Sequence, residues 1–302
     1  VATPALPADL EHRRLELPGG LGLHVALAGP EDGPLVLLLH GFPEFWYGWK
    51  NQLGPLAAAG FRVAAPDQRG YNDSDKPAGL AAYTREALAR DVVQILDTLG
   101  RRRAIVVGHD WGGAVAWWMA LQHPERLERL VVLNIPHPVV HARALRSWAQ
   151  LRRSWYILMF QLSGLAEWLL SQDRHRRLVE LMRAGSRGTL SDADLDRYRE
   201  AYSKPGALKA MLSWYRAVVR LPSGRLRTRR VERPALVIWG ARDPALGVEM
   251  AAPSAERCDR GRLRILDRAG HFVTHDAWEQ VNHELLDFLG PAADYPAETR
   301  PG

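Results

Sequence analysis

Residues 35–39 (Leu-Val-Leu-Leu-Leu) are apolar at every position, the pattern of a strand buried on both faces. Similar runs recur at 61–65, 105–107, 130–133, 235–239 and 263–266. Between the early ones, helical patterns fall near residues 55–59, 84–99 and 114–122. Apolar strands alternating with helices predict an α/β fold, a mostly parallel sheet covered by helices on both faces. Residues 14–17 and 23–28, around Gly19-Gly20, predict an opening hairpin.

The alternation stops after Asn134. From residue 141 to about 220 no strand pattern appears, and the sequence turns helical and rich in Trp, Leu and Arg. Trp148, Trp155, Trp168 and Trp214 fall there, with Met159, Met182 and Met211. Strand-like sequence resumes at 231–239. The expected organisation is a core in two parts, 1–134 and 231–290, with a helical cap inserted at 135–230. A Pro-rich tail, 291–302, is expected to be loose.

The charge balance changes the picture little. The 302 residues carry a formal net charge of +6, with basic clusters at 101–103 and 225–230. No nucleic-acid motif accompanies them, so solvated arginine surface is expected rather than a nucleic-acid partner. Hydrophobic residues make up 47%, enough for a sizeable core. No apolar run reaches the roughly 18 residues of a membrane span; the longest candidate, 155–170, is broken by Gln161, Ser163, Gly164 and Glu167. Residues 1–10 lack a basic start followed by an apolar block, so no signal peptide is visible, although without an initiator Met a trimmed leader stays open. Cys258 is the single cysteine, which excludes an intrachain disulfide and fits a cytoplasmic location.

The chemistry concentrates at a few turns. Ala104-Ile105-Val106-Val107-Gly108-His109-Asp110-Trp111-Gly112-Gly113 is a β-branched run, a turn between small residues, and the start of a helix. That layout is a nucleophile elbow, usually occupied by Ser and here by Asp110. A plain Gly-flanked turn with a capping Asp is the simpler alternative. Ligands in open α/β sheets sit at the carboxyl ends of strands. Asp243 follows the 235–239 strand, and His271 follows the last one, in Ala269-Gly270-His271-Phe272. Nucleophile, acid and histidine therefore occur in the chain order of hydrolases that use such an elbow. His40-Gly41-Phe42-Pro43, after the 35–39 strand, is a turn placed to supply an oxyanion-hole amide from Phe42, the other coming from Trp111. Phe42-Pro43 is also a site where a cis peptide would fix that turn.

These residues resemble the epoxide hydrolases of the α/β-hydrolase fold. The likeness runs from about residue 35 to 289. It includes His40-Gly41-Phe42-Pro43, Asp67-Gln68-Arg69-Gly70-Tyr71-Asn72-Asp73-Ser74-Asp75-Lys76-Pro77 and the elbow at 108–113. The resemblance implies two cap tyrosines that activate the epoxide oxygen. Their contexts match Ser154-Trp155-Tyr156-Ile157 and Trp214-Tyr215-Arg216, which places the pair at Tyr156 and Tyr215. Tyr47, Tyr198 and Tyr202 stay open as alternatives. Phe272 stands where many relatives carry Trp.

The expected reaction converts an apolar epoxide and water to a vicinal diol. Asp110, ordinarily ionised at pH 7, forms an ester; His271, with an unperturbed pKa near 6.5, then activates water, oriented by Asp243. Phe42, Pro43, Trp111 and Trp155 are expected to bind substrate. No cofactor or metal is called for, and a homodimer is allowed for. The nearest rival is a haloalkane dehalogenase with the same nucleophile; a leaving halide needs N–H donors, and Phe42 offers no polar side chain where many such enzymes carry Asn. An inactive binding module of the same fold is the alternative from a different class.

Overall fold

A computed structural model describes residues 4–222 and 224–295. Eight strands form one sheet: β1 (Glu11–Leu17), β2 (Leu21–Ala28), β3 (Leu35–Leu39), β4 (Arg62–Pro66), β5 (Ala104–His109), β6 (Leu127–Leu133), β7 (Val231–Gly240) and β8 (Cys258–Leu266). Their spatial order is β1-β2-β4-β3-β5-β6-β7-β8. The hairpin β1–β2 joins β4 antiparallel, and from β4 to β8 every pairing is parallel. The central strands β3, β4 and β5 are buried at every position, which is why they read as apolar runs, broken only by Arg62 at the start of β4 and His109 at the end of β5. β8 is longer than expected. Its first half (Cys-Asp-Arg-Gly-Arg) lies on an exposed edge and carries no hydrophobic signal.

Core helices α1 (Lys50–Ala58), α2 (Arg85–Thr98) and α3 (Asp110–Gln122) connect the first strands. Thr84 caps α2 by accepting from the Ala87 N–H. α3 is apolar nearly all round and buried from Val115 to Leu121, so it belongs to the core on every side. Between β6 and β7 the described residues form only helices: α4 (Pro138–Ala144), α5 (Trp148–Arg153), α6 (Trp155–Phe160), α7 (Leu165–Gly185), α8 (Asp192–Ser203) and α9 (Ala207–Arg220). α7 is interrupted at Gln172–His175 by non-helical backbone. The chain closes with α10 (Ala251–Ala255), α11 (Val273–Asp276) and α12 (Trp278–Leu289).

Polar contacts hold this helical layer to the sheet layer. Lys50 reaches Asp194 of α8 at 2.8 Å, and the Tyr47 hydroxyl donates to the same carboxylate. Trp214 Nε1 of α9 donates to the Arg69 carbonyl. Within the layer, Arg216 makes a forked pair with Glu167 and also donates to the Phe160 carbonyl, joining α9, α7 and α6. The tail expected to be loose is packed as far as Tyr295, whose ring meets Phe61 edge-on at 5.7 Å. The remainder of that expectation, 296–302, lies outside the described residues. No helix of the described residues is long and apolar enough to cross a membrane.

The turn from β5 into α3 is packed without room for side chains. Asp110 sits in the left-handed region, φ +49°, where a non-glycine residue is strained. A Cβ on Gly112 would lie 2.1 Å from the Leu39 carbonyl oxygen of β3, and one on Gly108 would meet Gly112 backbone at 2.4 Å. Gly112→Ala is therefore expected to destabilise the protein by more than about 2 kcal/mol, the upper range for overpacking against backbone. A urea midpoint equal to that of the parent protein would refute the close approach.

Candidate active site

The elbow turns the Asp110 carboxylate toward the carboxyl ends of β3, β7 and β8. One oxygen, Oδ1, accepts the Phe42 N–H at 2.9 Å. The Phe42–Pro43 peptide is cis, and Gly41 passes so close that a Cβ there would lie 2.6 Å from the Asp110 Cβ. The other oxygen, Oδ2, lies 3.6 Å from His271 Nε2. Trp111, at the first turn of α3, has a backbone N–H without an intrahelical acceptor, like every amide at a helix start.

His271 Nδ1 donates to Asp243 Oδ2 at 2.7 Å. Asp243 in turn is saturated: Asn134 Nδ2 donates to Oδ2, and the Ala245 and Leu246 N–H groups donate to Oδ1. Burial alone would raise the Asp243 pKa, but the charge and hydrogen bond of His271, with the bonds from Asn134 and Leu246, hold it below the usual carboxylate range. For His271, burial favours the neutral ring; the opposing Asp243, then Asp110 and Glu44, outweigh it and raise the pKa to about 9. At pH 7 that shift favours an imidazolium between two carboxylates over the neutral ring that an unperturbed pKa near 6.5 would give.

A second buried network lies beneath this one. Glu44 accepts from His109 Nδ1 at 3.0 Å and from His275 Nε2 at 2.9 Å, with the Tyr198 hydroxyl 3.4 Å away. His109 Nε2 then bonds the His271 backbone carbonyl at 2.8 Å. Burial disfavours a charged Glu44, yet its bonds to the two histidines hold its pKa well below the usual range. Sequence reasoning missed Glu44, His109, His275 and Asn134. Glu44 directly follows the Phe42-Pro43 turn, and a charged residue there reads as surface. The 67–77 motif acts one step further out: the Gln68 N–H donates to His40 Nε2, and His40 Nδ1 donates to the Gly41 carbonyl, fixing the Phe42 turn.

The cap closes the site with aromatic rings. Tyr215 meets Trp111 edge-on at 4.9 Å and Phe42 at 5.2 Å. The Tyr156 ring lies 6.0 Å from that of Tyr215, and Phe160 touches both. Burial raises both tyrosine pKa values, and the Asp110 charge raises them further. Both are therefore neutral hydroxyl donors at any ordinary pH. The tyrosines left open are engaged elsewhere: Tyr47 bonds Asp194, Tyr198 bonds Glu44, and Tyr202 is buried between the His175 and Tyr198 rings.

Two cavities meet at Tyr156. One of about 650 Å³ is lined by Phe42, Phe160, His271 and Phe272, with Trp155 at its margin. The other, about 200 Å³, is lined by Asp110, Trp111, Tyr215, Ile135 and Leu246. Pro43 lines neither cavity; its place is in the turn that carries the Phe42 amide.

The alpha/beta hydrolase fold family model matches residues 34–277. The chain is 45% identical over 278 residues to the AB hydrolase superfamily protein YfhM of Bacillus subtilis, covering 89% of this chain and 95% of that one. It is 38% identical over 274 residues to epoxide hydrolase 1 of Caenorhabditis elegans, covering 88% of this chain and 67% of that one. Among solved structures, a point mutant of an epoxide hydrolase from Bacillus megaterium, complexed with its naphthyloxy-propanediol product, superposes with a TM-score of 0.85 at 30% identity, covering 92% of this chain and 99% of that one. The expected fold class and family resemblance agree with these likenesses, and the chain belongs to the epoxide hydrolases of the alpha/beta hydrolase fold.

Proposed function

We propose that Asp110 opens an apolar epoxide to a vicinal diol through a covalent ester, with the cap tyrosines as proton donors and His271–Asp243 as the hydrolytic pair. The observation that carries this reading is the Tyr156–Tyr215 pair beside the Asp110 carboxylate. An epoxide oxygen leaves as a strongly basic alkoxide and needs a proton, whereas a halide does not. Trp155, the cap indole that could serve a halide, is 64% exposed at the margin of the large cavity.

The geometry also divides the labour between the carboxylate oxygens. Oδ1 is held by the Phe42 amide, so Oδ2 attacks the epoxide carbon. The C–O bond breaks, and the oxygen takes a proton from Tyr156 or Tyr215. The ester now has no charge at Asp110, which removes one of the causes of the high His271 pKa. The imidazolium then yields its proton to restore the tyrosine and becomes the neutral base. It next takes a proton from water, and hydroxide adds to the Asp110 carbonyl carbon. The Phe42 and Trp111 amides stabilise the oxyanion at Oδ1, a type of contact worth about 3–4 kcal/mol per donor. Collapse expels the diol alkoxide, which takes the proton of the new Asp110 carboxyl. The cycle ends as it began, with an aspartate and an imidazolium.

The division into core (1–134 and 231–290) and cap (135–230) follows the same logic, since the cap supplies the proton donors and the core everything else. The single cysteine, buried and unpaired, supports a reducing cytoplasm as the compartment. A substrate of small-molecule size fits the two cavities, and neither requires a second subunit.

Styrene oxide and a bromoalkane separate the readings: diol from the first, with no bromide from the second, is expected, and bromide without diol would exclude this function. His271→Gln is expected to slow ester hydrolysis by at least about 100-fold, the lower range for losing a general base. Intact mass should then show the adduct on Asp110; consumption of epoxide with only free enzyme visible would contradict the two steps. In single turnovers, ester hydrolysis is expected to rise with pH, because the base form is the deprotonated ring. Its apparent pKa should lie below the value of about 9 in the resting site. A hydrolysis rate that falls with pH between 6 and 9 would refute the assignment.

A further inference from the structure

The outer side of α5 and α6 is apolar where a surface helix is normally polar. Trp148, Leu151, Trp155, Leu158 and Leu162 are all exposed. They follow one another at intervals of three and four residues, the first four on helices separated only by Ser154 and Leu162 just past the end of α6, the spacing of one helical side. Leu165 and Trp168 continue the exposed series onto the start of α7. Trp148 is 74% exposed, Leu158 72% and Trp168 58%. Single exposed apolar residues need no explanation, but a run of this length marks a contact surface.

The charges beside it are mostly of one sign. Arg143, Arg146, Arg152 and Arg153 are exposed on α4, α5 and the turn between them, and Arg174, Arg176 and Arg177 follow at the break in α7. Three acids fall in the same stretch, and all are engaged: Glu167 with Arg216, and Asp173 and Glu180 both with Arg176. A fourth, Glu249, comes from beyond the cap and pairs with Arg153. The large cavity opens here too, since the exposed Arg153, Trp155, Arg177 and Leu181 belong to its lining.

We propose that this face docks on an anionic lipid surface, with the mouth of the large cavity turned toward the bilayer. The indoles and leucines would sit at the boundary of headgroups and acyl chains, and the arginines would meet lipid phosphates. A second copy of the chain fits less well. A two-fold contact through this patch would bring two arginine-rich surfaces together, with the nearby acids already paired. The inference rests on the surface alone and does not depend on the chemistry assigned to Asp110. Its consequence is access: an apolar epoxide dissolved in the membrane would reach the cavity without crossing water.

Co-sedimentation of the whole protein with phosphatidylcholine vesicles, with and without about 30% phosphatidylglycerol, tests it. Binding to the anionic vesicles is expected to be at least about tenfold tighter, and to weaken as salt is raised. The triple variant Trp148→Ser, Leu158→Ser, Trp168→Ser should lose at least about tenfold of that binding. These side chains line neither cavity, so turnover of a water-soluble epoxide should be unchanged, which also shows that the variant folds. Equal or absent binding to both vesicle types, or binding that survives in the variant, would overturn the proposal. So would a dimer in sedimentation velocity that the variant abolishes without any vesicle binding, which would give the face to a second copy.

Discussion

The site depends on how closely α3 approaches the end of β3. Gly112 lies where a Cβ would be 2.1 Å from the Leu39 carbonyl, so the helix start is pressed onto the neighbouring strand. That contact leaves Asp110 in the left-handed region and aims its side chain outward at the sheet edge. The same approach brings the Phe42 turn to the carboxylate, because Gly41 has no side chain to keep the two apart. One steric constraint thus sets the direction of the Asp110 carboxylate, its backbone strain and its contact with the Phe42 amide together.

Around this anchor the charges alternate. Asp243, His271 and Asp110 form a line of anion, cation and anion, and the outer anion is fully hydrogen-bonded by Asn134 and two backbone amides. Such a chain is costly to bury unless each member has a partner. The reaction proposed above removes one partner, since an ester at Asp110 is neutral. The imidazolium loses part of its support at the step where a base is needed. A histidine held charged in the resting state is therefore consistent with base catalysis.

The sheet and the elbow were legible in the sequence because their signals are local. A strand buried on both faces must be apolar throughout, and a turn that admits no side chains must show glycine at 108, 112 and 113. Asp110, Asp243 and His271 were readable by position, each following a strand. Asn134 and Glu44 were not. Their roles are made by partners more than 100 residues away, Gly240 and Asp243 for one, His275 for the other. The charge on His271 was hidden for the same reason, because a pKa belongs to an assembled environment rather than to a residue type. The exposed half of β8 escaped through the opposite failure, a strand with no buried face to mark it.

The cap is the part where local signals mislead most. Its Trp, Leu and Met residues read equally as core or as pocket, and the structure splits its aromatic residues three ways. Trp214 is buried against Tyr71 and Trp111, Tyr215 and Phe160 close the site, and Trp148 and Trp168 face outward. What sorts them is the sheet beneath. α9 is pinned by Trp214 to the Arg69 carbonyl and by Arg216 to Glu167 and Phe160, so its rotation is set and Tyr215 meets Trp111 and Phe42. α5 and α6 carry the opposite face away from the core. α6 alone carries Tyr156 packed against the core and the exposed Trp155 and Leu158 on its other side. Any force that settles the outer face, whether lipid or protein, therefore acts within one helix diameter, about 10 Å, of Tyr156.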